Sequence, residues 1–371
     1  MRVNSVYIHI PFCSNICSYC DFCKFYYNEL WVDNYLNALE KEIDIYYKND
    51  DIKTIYIGGG TPSCLNIKQL EKLLQITKKF NGNVLEFTFE CNVDISEEKL
   101  ILLKRYGVNR ISVGIQTINE RLLKVIERSH TKEEVINKIN LIKKYFDNIN
   151  VDLMYALPGE TIDDLKKDLE FFISLDVPHI STYSLILEPN TKLYINDTES
   201  IDEQIDYDMY KLIKGTLKEK GYINYEISNY SKKVFESKHN LVYWNNKEYY
   251  GFGIGASGYI NNIRYDNTKS YKKYINGEYR LDSHELDLNE TIENEFILGF
   301  RKMEGISLSD FKNKYGIDLL DIPIVSDLLK DNKLVLENNY IKLNEEYIYT
   351  SNNILINFID IDLGGLICVE N

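Results

Sequence analysis

The chain is predicted to be an α/β protein, a largely parallel sheet with crossover helices followed by a smaller α+β C-terminal domain. Three observations point there. Short β-rich runs alternate with longer amphipathic stretches over the first 230 residues. The chemically distinctive residues recur just after those runs. Beyond about residue 290 the alternation gives way to short helical patterns and one hairpin-like stretch.

The predicted strands are SVYIHI (5–10), TIYIGG (54–59), LEFTFE (85–90), RISVGI (110–115), NVDLMYAL (150–157) and ISTYSLI (180–186). They read as near-continuous apolar runs, which predicts a sheet buried on both faces. Helical patterns occupy 31–48, 67–80, 96–106, 119–127, 131–146, 161–175 and 202–220. In the second of these, Ile67, Leu70, Leu73, Leu74 and Ile76 repeat near the helical period. In the third, Ser96 is suited to cap the start and Gly107 to close the end.

Six alternations are compatible with a full or partial (β/α) barrel or with a doubly wound open sheet. Cys13, glycines 58 to 60, Glu90 with Asn92, Gln116 and Gly159 all follow strands. Active sites of β/α barrels are built at that C-terminal rim, so a barrel is favoured.

The predicted organisation is a barrel over 1–230, a connecting segment over 231–290 and a small C-terminal domain over 291–371. The connecting segment holds HNLVYW (239–244) and the glycine-rich YYGFGIGASGYI (249–260), read as irregular. In the last part, LVLENNYIKLNEEYIYT predicts a β-hairpin turning near Asn338-Asn339, packed with short helices as a β wing.

The 371 residues carry a formal net charge of -14 and show no basic tail or patch, so coating nucleic acid is not the expected role. No run of about 18 apolar residues predicts a membrane span, and the N-terminus lacks the pattern of a secretory signal. A cytoplasmic, reducing setting is therefore expected. There a tight cysteine cluster is more often metal-binding or catalytic than disulfide-bonded.

Four of the seven cysteines, Cys13, Cys17, Cys20 and Cys23, fall within CSNICSYCDFC. Unrelated buried thiols rarely arrive together on one loop. A disulfide suits a reducing compartment poorly. A four-cysteine zinc site usually takes two separated pairs. A fourth reading, beside the zinc site that stays open, takes Cys13, Cys17 and Cys20, spaced C-x3-C-x2-C, as ligands of three irons in a cubane cluster whose fourth iron stays open for a small chelator. Cys23 is then a non-ligand. Cys64, Cys91 and Cys368 are read as small apolar residues or surface thiols.

YIGGGTPS (56–63) places glycines at a strand's end, where they suit either close approach of backbone to a ligand or a tight strand-to-helix turn. FECN places Glu90 at a strand end, RISVGIQT places Gln116, IERSH supplies Arg128, and VDLMYALPGET puts Asp152 inside an apolar strand. Such a carboxylate is costly unless a partner or ligand satisfies it.

Taken in order, YIHIPFC, GGGTPS, E-x-N, R-x-S-x-G-x-Q and D-x-x-x-x-L-P-G resemble the oxygen-independent coproporphyrinogen III oxidase family of the radical S-adenosylmethionine (SAM) superfamily. YEISNYSKKVFESKHNLVYWNNKEYYGFGIGASGY (225–259) is similar to its HemW branch, regarded as haem chaperones. The resemblance implies a partial (β/α)6 TIM-like barrel with a winged-helix-like C-terminal domain. It implies a [4Fe-4S] cluster on Cys13, Cys17 and Cys20, and SAM contacts from Tyr7, Gly59, Gly60, Thr61, Glu90, Gln116, Arg128 and Asp152. His9 and His130 fall within its motifs, whereas His179 and His284 carry no assigned role.

His239, read as lying in a polar loop, is the haem candidate, because neutral imidazole is a standard axial ligand and Tyr243 and Trp244 offer flat surfaces to a porphyrin. The implied function is binding of haem and its transfer to recipient haemoproteins, membrane-bound ones included. A reductant such as flavodoxin or ferredoxin and a homodimer belong to the same expectation, and no catalytic residue is assigned. The alternative is SAM-dependent oxidative decarboxylation of coproporphyrinogen III. Against it, Asp21 and Phe22 follow Cys20 where the oxidases carry C-x-C, and only a few residues precede Tyr7 where they carry an extension. Val93 stands where the E-x-N-P motif has proline, with Glu90 kept in place.

Overall fold

The structure, a computed structural model, describes residues 3–361 and 363. Cys368 lies outside them. The elements alternate as β1 (Ser5–Ile10), α1 (Glu29–Tyr46), β2 (Thr54–Gly59), α2 (Ile67–Thr77), β3 (Glu86–Asn92), α3 (Glu97–Arg105) and β4 (Arg110–Gln116). They continue as α4 (Glu120–Val125), α5 (Lys132–Ile142), β5 (Asn148–Tyr155), α6 (Ile162–Ser174), β6 (His179–Ser184) and α7 (Glu203–Glu219). Helix starts are set locally. Ser96 accepts from the N–H of Lys99, and Asn66/Gln69, Thr131/Glu134 and Thr161/Asp164 form reciprocal capping boxes.

Strands β1 to β6 are parallel neighbours in sequence order, the pattern of a β/α barrel wall. An edge hairpin, β7 (Ile223–Glu226) and β8 (Asn229–Ser231), pairs antiparallel with β6. Then come α8 (Lys238–Trp244) and β9 (Tyr250–Phe252), which pairs parallel with β1 on the opposite edge. The nine-stranded sheet is thus a partial barrel, open between β9 and β7.

Two expectations are corrected. Residues 249–260 are irregular only over 253–256: β9 joins the main sheet, and β10 (Ser257–Ile260) opens a three-stranded antiparallel sheet with β11 (Ile263–Asn267) and β12 (Arg280–Glu285). The glycines serve close packing. A Cβ on Gly251 would sit 1.9 Å from the Ser257 carbonyl oxygen, and one on Gly258 would sit 2.1 Å from the Tyr265 ring.

The second correction concerns the strands, which are buried on both faces as expected but apolar on one only. Phe87, Phe89, Ile111, Val113, Val151 and Leu153 are buried on the outer, helix-covered face. The inner face is polar. Parallel register sets Glu90, Ser112, Asn150 and His179 in one layer and Asn92, Gly114, Asp152 and Ser181 in the next. Side chains alternate along a strand, so every second residue faces the lumen.

One buried carboxylate ties α1 to the segment after β9. Glu42 accepts from Arg280 (3.0 Å), Asn267 (2.7 Å), the Tyr274 hydroxyl (2.6 Å) and the Gly253 N–H (2.8 Å).

From Ile292 onward a second apolar core forms around Phe296, Phe300, Phe311 and Phe358. Its hairpin, Leu334–Glu337 with Tyr340–Leu343, turns at Asn338 (φ 51°) and Asn339 (φ 70°). Two consecutive positive φ values define a type I′ turn, which asparagine tolerates. No helix among the described residues is long and apolar enough to cross a membrane.

Candidate functional site

The cysteine loop leaves the C-terminal end of β1 and folds over the barrel mouth. It is strapped down from the β4 side: Ser18 Oγ donates to the Val125 carbonyl (2.8 Å) and Asn15 Nδ2 to that of Glu127 (2.7 Å). Beneath it lies a cavity of about 480 Å³. Cys13, Cys17 and Cys20 line it together with Gly59, Gly60, Thr61, Glu90, Gln116, Arg128 and Asp152. Residues spread over 140 positions of sequence thus face one space.

Tyr7 lies alongside, its ring centroid 6.1 Å from that of Tyr56. It borders a second cavity of about 360 Å³, with His9, Cys23, Tyr243, Tyr249 and Lys269. Its hydroxyl is 2.9 Å from His9 Nδ1, and His9 Nε2 donates to the Cys23 carbonyl at 2.8 Å, leaving Nδ1 as the acceptor. Burial holds His9 neutral, its pKa pushed down to about 4.

The three thiols form one wall of the first cavity. Thr61 Oγ1 donates to Cys13 Sγ at 3.4 Å. Among the described residues no three ligating side chains gather around a single ion. A cubane presents its irons at separate corners, so thiolates distributed along a wall suit it. The glycines fit the same purpose. A Cβ on Gly60 would stand 3.0 Å from Cys13 Sγ and 2.8 Å from the Phe12 carbonyl oxygen. Gly59 adopts φ +110°, and a Cβ there would meet the His9 ring at 2.5 Å.

In the same cavity, Glu90 accepts from the Tyr56 hydroxyl (2.7 Å) and from the Gly59 N–H (3.0 Å). Burial pushes its carboxyl up to about 7, with Tyr56 pulling the other way. Asp152 is likewise raised by burial, while Asn150 Nδ2 donates to it at 2.7 Å. Arg128 donates to Asn92 Oδ1 (2.7 Å) and, at 3.4 Å, to the Tyr19 hydroxyl. These neutral partners leave its charge available to an anionic group. Gln116 ends β4 in the left-handed region (φ 74°) at a β-bulge, and its buried Oε1 has no partner. Backbone strain of this kind persists where the surroundings over-determine it. The cavity is therefore shaped for a ligand with ammonium, carboxylate and hydroxyl groups, and SAM carries all three.

His239 does not sit in a polar loop. It lies in α8, fully buried. Nδ1 is 2.8 Å from Thr54 Oγ1, and Thr54 itself donates to Ser5, so Nδ1 carries the proton. Nε2 accepts from the Tyr243 hydroxyl at 2.8 Å. Burial keeps the ring neutral, its pKa pushed down to about 3. Both nitrogens are engaged, and iron ligation by His239 would require Tyr243 to move away.

Sequence reading missed Tyr56, Tyr19, Arg110, Asn150 and Asn240, which also line the first cavity. The signal for the strand residues was present as period-two alternation: Arg110, Ser112, Gly114 and Gln116 share one face, and Asn150 precedes Asp152 by two. Asn240 had no such signal.

A model of the radical SAM superfamily matches residues 7–172. A Lactococcus lactis protein described as "Heme chaperone HemW" is 40% identical over 98% of this chain and 99% of its own length. A Bacillus subtilis protein of the same description is 42% identical over 88% of this chain and 91% of its own length. Coproporphyrinogen III oxidase (HemN) from Escherichia coli shares the fold with a TM-score of 0.83 at 21% identity, covering 97% of this chain and 90% of that one. Radical SAM membership implies a [4Fe-4S] cluster and SAM, and the cavity fits both. On the strength of this full-length similarity, the chain belongs to the HemW family of radical SAM proteins.

Proposed function

We propose that the chain binds haem and delivers it to acceptor haemoproteins, carrying a [4Fe-4S] cluster and SAM in the barrel. The observation that carries this is the full-length similarity to proteins described as haem chaperones, joined to one cavity that unites three thiols with groups complementary to SAM. Cys13, Cys17 and Cys20 hold the cluster, and Cys23, which faces the second cavity, does not. Arg128 faces the SAM carboxylate. The backbone at Gly59 and Gly60 receives its amino group, and Glu90 and Asp152 take ribose hydroxyls or the ammonium.

When bound, a cluster with an open iron can supply an electron to the SAM sulfonium. The chain's own residues orient SAM, and the cysteine loop shields it from water. Recipient haemoproteins, membrane-bound ones among them, and a donor such as flavodoxin or ferredoxin are the partners this reading requires. A cytoplasmic homodimer is its simplest setting. His239 does not enter the proposal as an iron ligand, because both of its nitrogens are engaged.

The test is anaerobic reconstitution followed by iron analysis, SAM binding and haem titration of one sample. About four irons per chain, saturable SAM binding and a Soret band are expected. Decarboxylation of coproporphyrinogen III by the same sample, without haem binding, would overturn the proposal in favour of the oxidase.

A further inference from the structure

The floor of the cofactor cavity is made by the segment that carries His239. Glu86, at the foot of β3, accepts from Ser237 Oγ (3.3 Å) and from the N–H groups of Lys238 (2.9 Å) and His239 (3.0 Å). This anchors α8 across the N-terminal end of the strands. From there Asn240 reaches the same cavity that the cysteines line at the other end.

The His239 ring is clamped between Thr54 and Tyr243, and its face tilts against Tyr56, with centroids 5.2 Å apart at 34°. Tyr56 donates to one oxygen of Glu90, and the other oxygen accepts from the Gly59 N–H. A continuous line of contacts thus joins α8 to the glycine motif beside the cysteines.

We propose that His239 is a positioning residue for the cofactor cavity: its imidazole holds Tyr56, and Tyr56 holds Glu90 turned toward Gly59. The inference rests on the SAM reading above.

Three physical points support it. A flat neutral ring is the right shape to pack under a phenol, and deleting it opens a void directly beneath Tyr56. Both nitrogens are satisfied inside the protein, so the ring needs no ligand to be at home there. A displaced Tyr56 withdraws a hydrogen bond from a buried carboxylate, among the stronger kinds. The groups facing Glu90 are Tyr56, the Gly59 N–H, Asp152 and Arg110, with Tyr7, Tyr183 and Tyr243 around them. His239 touches both Tyr56 and Tyr243, and of the two Tyr56 is the one that donates to Glu90.

The test measures SAM affinity of the reconstituted holoprotein from pH 6 to 9, with haem titration in parallel. Tyr56→Phe and His239→Ala are each expected to weaken SAM binding about tenfold at pH 7, the scale of one hydrogen bond to a charged group. The loss should shrink toward pH 9, where Glu90 ionises without help. The double variant should be no worse than either single one. His239→Phe, which restores a flat ring with no nitrogen, should bind SAM nearly as well as wild type and retain haem. If His239→Ala does not fold, as judged by iron content, His239→Gln replaces it with the same expectation.

Unchanged SAM affinity in His239→Ala overturns the inference, as does a loss equal at every pH. Haem binding abolished in His239→Phe with SAM binding intact also overturns it, and returns His239 to the role of ligand. Failure of the wild-type protein to bind SAM would sink the underlying cofactor reading instead, together with this one.

Discussion

Glu86 on β3 and His239 on α8 stand 153 residues apart in sequence, yet the carboxylate accepts from the His239 backbone N–H at 3.0 Å. That contact closes the barrel floor with a helix from outside the six β/α units. Glu86→Ala orphans a cluster of buried donors, each worth about 1–3 kcal/mol. Chemical denaturation should show a loss of about 3 kcal/mol, and proteolysis should open near residue 238. Unaltered stability would mean that α8 is held by packing alone.

Glu42 plays a similar part on the opposite edge, where four donors converge on it. Removing one partner of a buried ion pair typically costs about 3–5 kcal/mol, because the other charge is left behind. Glu42→Ala should therefore shift the denaturation midpoint strongly. Replacing the exposed Lys330, paired with Asp327 at 2.9 Å on the surface, should shift it little.

The cavities separate the cysteines. Cys17→Ser should lose most of its iron after reconstitution, whereas Cys23→Ser should keep about four irons per chain. Equal loss in both variants would place Cys23 among the ligands.

Buried acids and histidines set an opposed pH response in the metal-free protein. Burial pushes Glu90 and Glu226 up to about 7 and Glu160 up to about 8. The native state then binds more protons than the unfolded chain, so their contribution is lost as pH rises through these values. His9 and His130, pushed down to about 4, act in the other direction, but only below their unfolded value of roughly 6.5. Unfolding free energy should therefore fall between about pH 6.5 and 8. Denaturant midpoints that rise across that window would contradict the burial of these carboxyls.

What was legible in the sequence was what is decided locally. Helices such as α2 and α3 follow from apolar period and caps, Asn66 with Gln69 and Ser96 among them. The C-x3-C-x2-C spacing set three thiols on one loop, and Glu90 and Gln116 lay toward the strand ends where a barrel gathers its chemistry, with Arg128 in the loop after α4. The tertiary structure decided the rest. It set Tyr7 on the border of the second cavity, made the strands' inner face polar, and turned Gly251 and Gly258 into tightly packed strand residues. It also drew His239 out of an expected polar loop into the barrel floor. The physical reason is one of range. Caps and periodicity act within a few residues, whereas the burial of a histidine depends on which distant surfaces close over it, here β2, β3 and Tyr56.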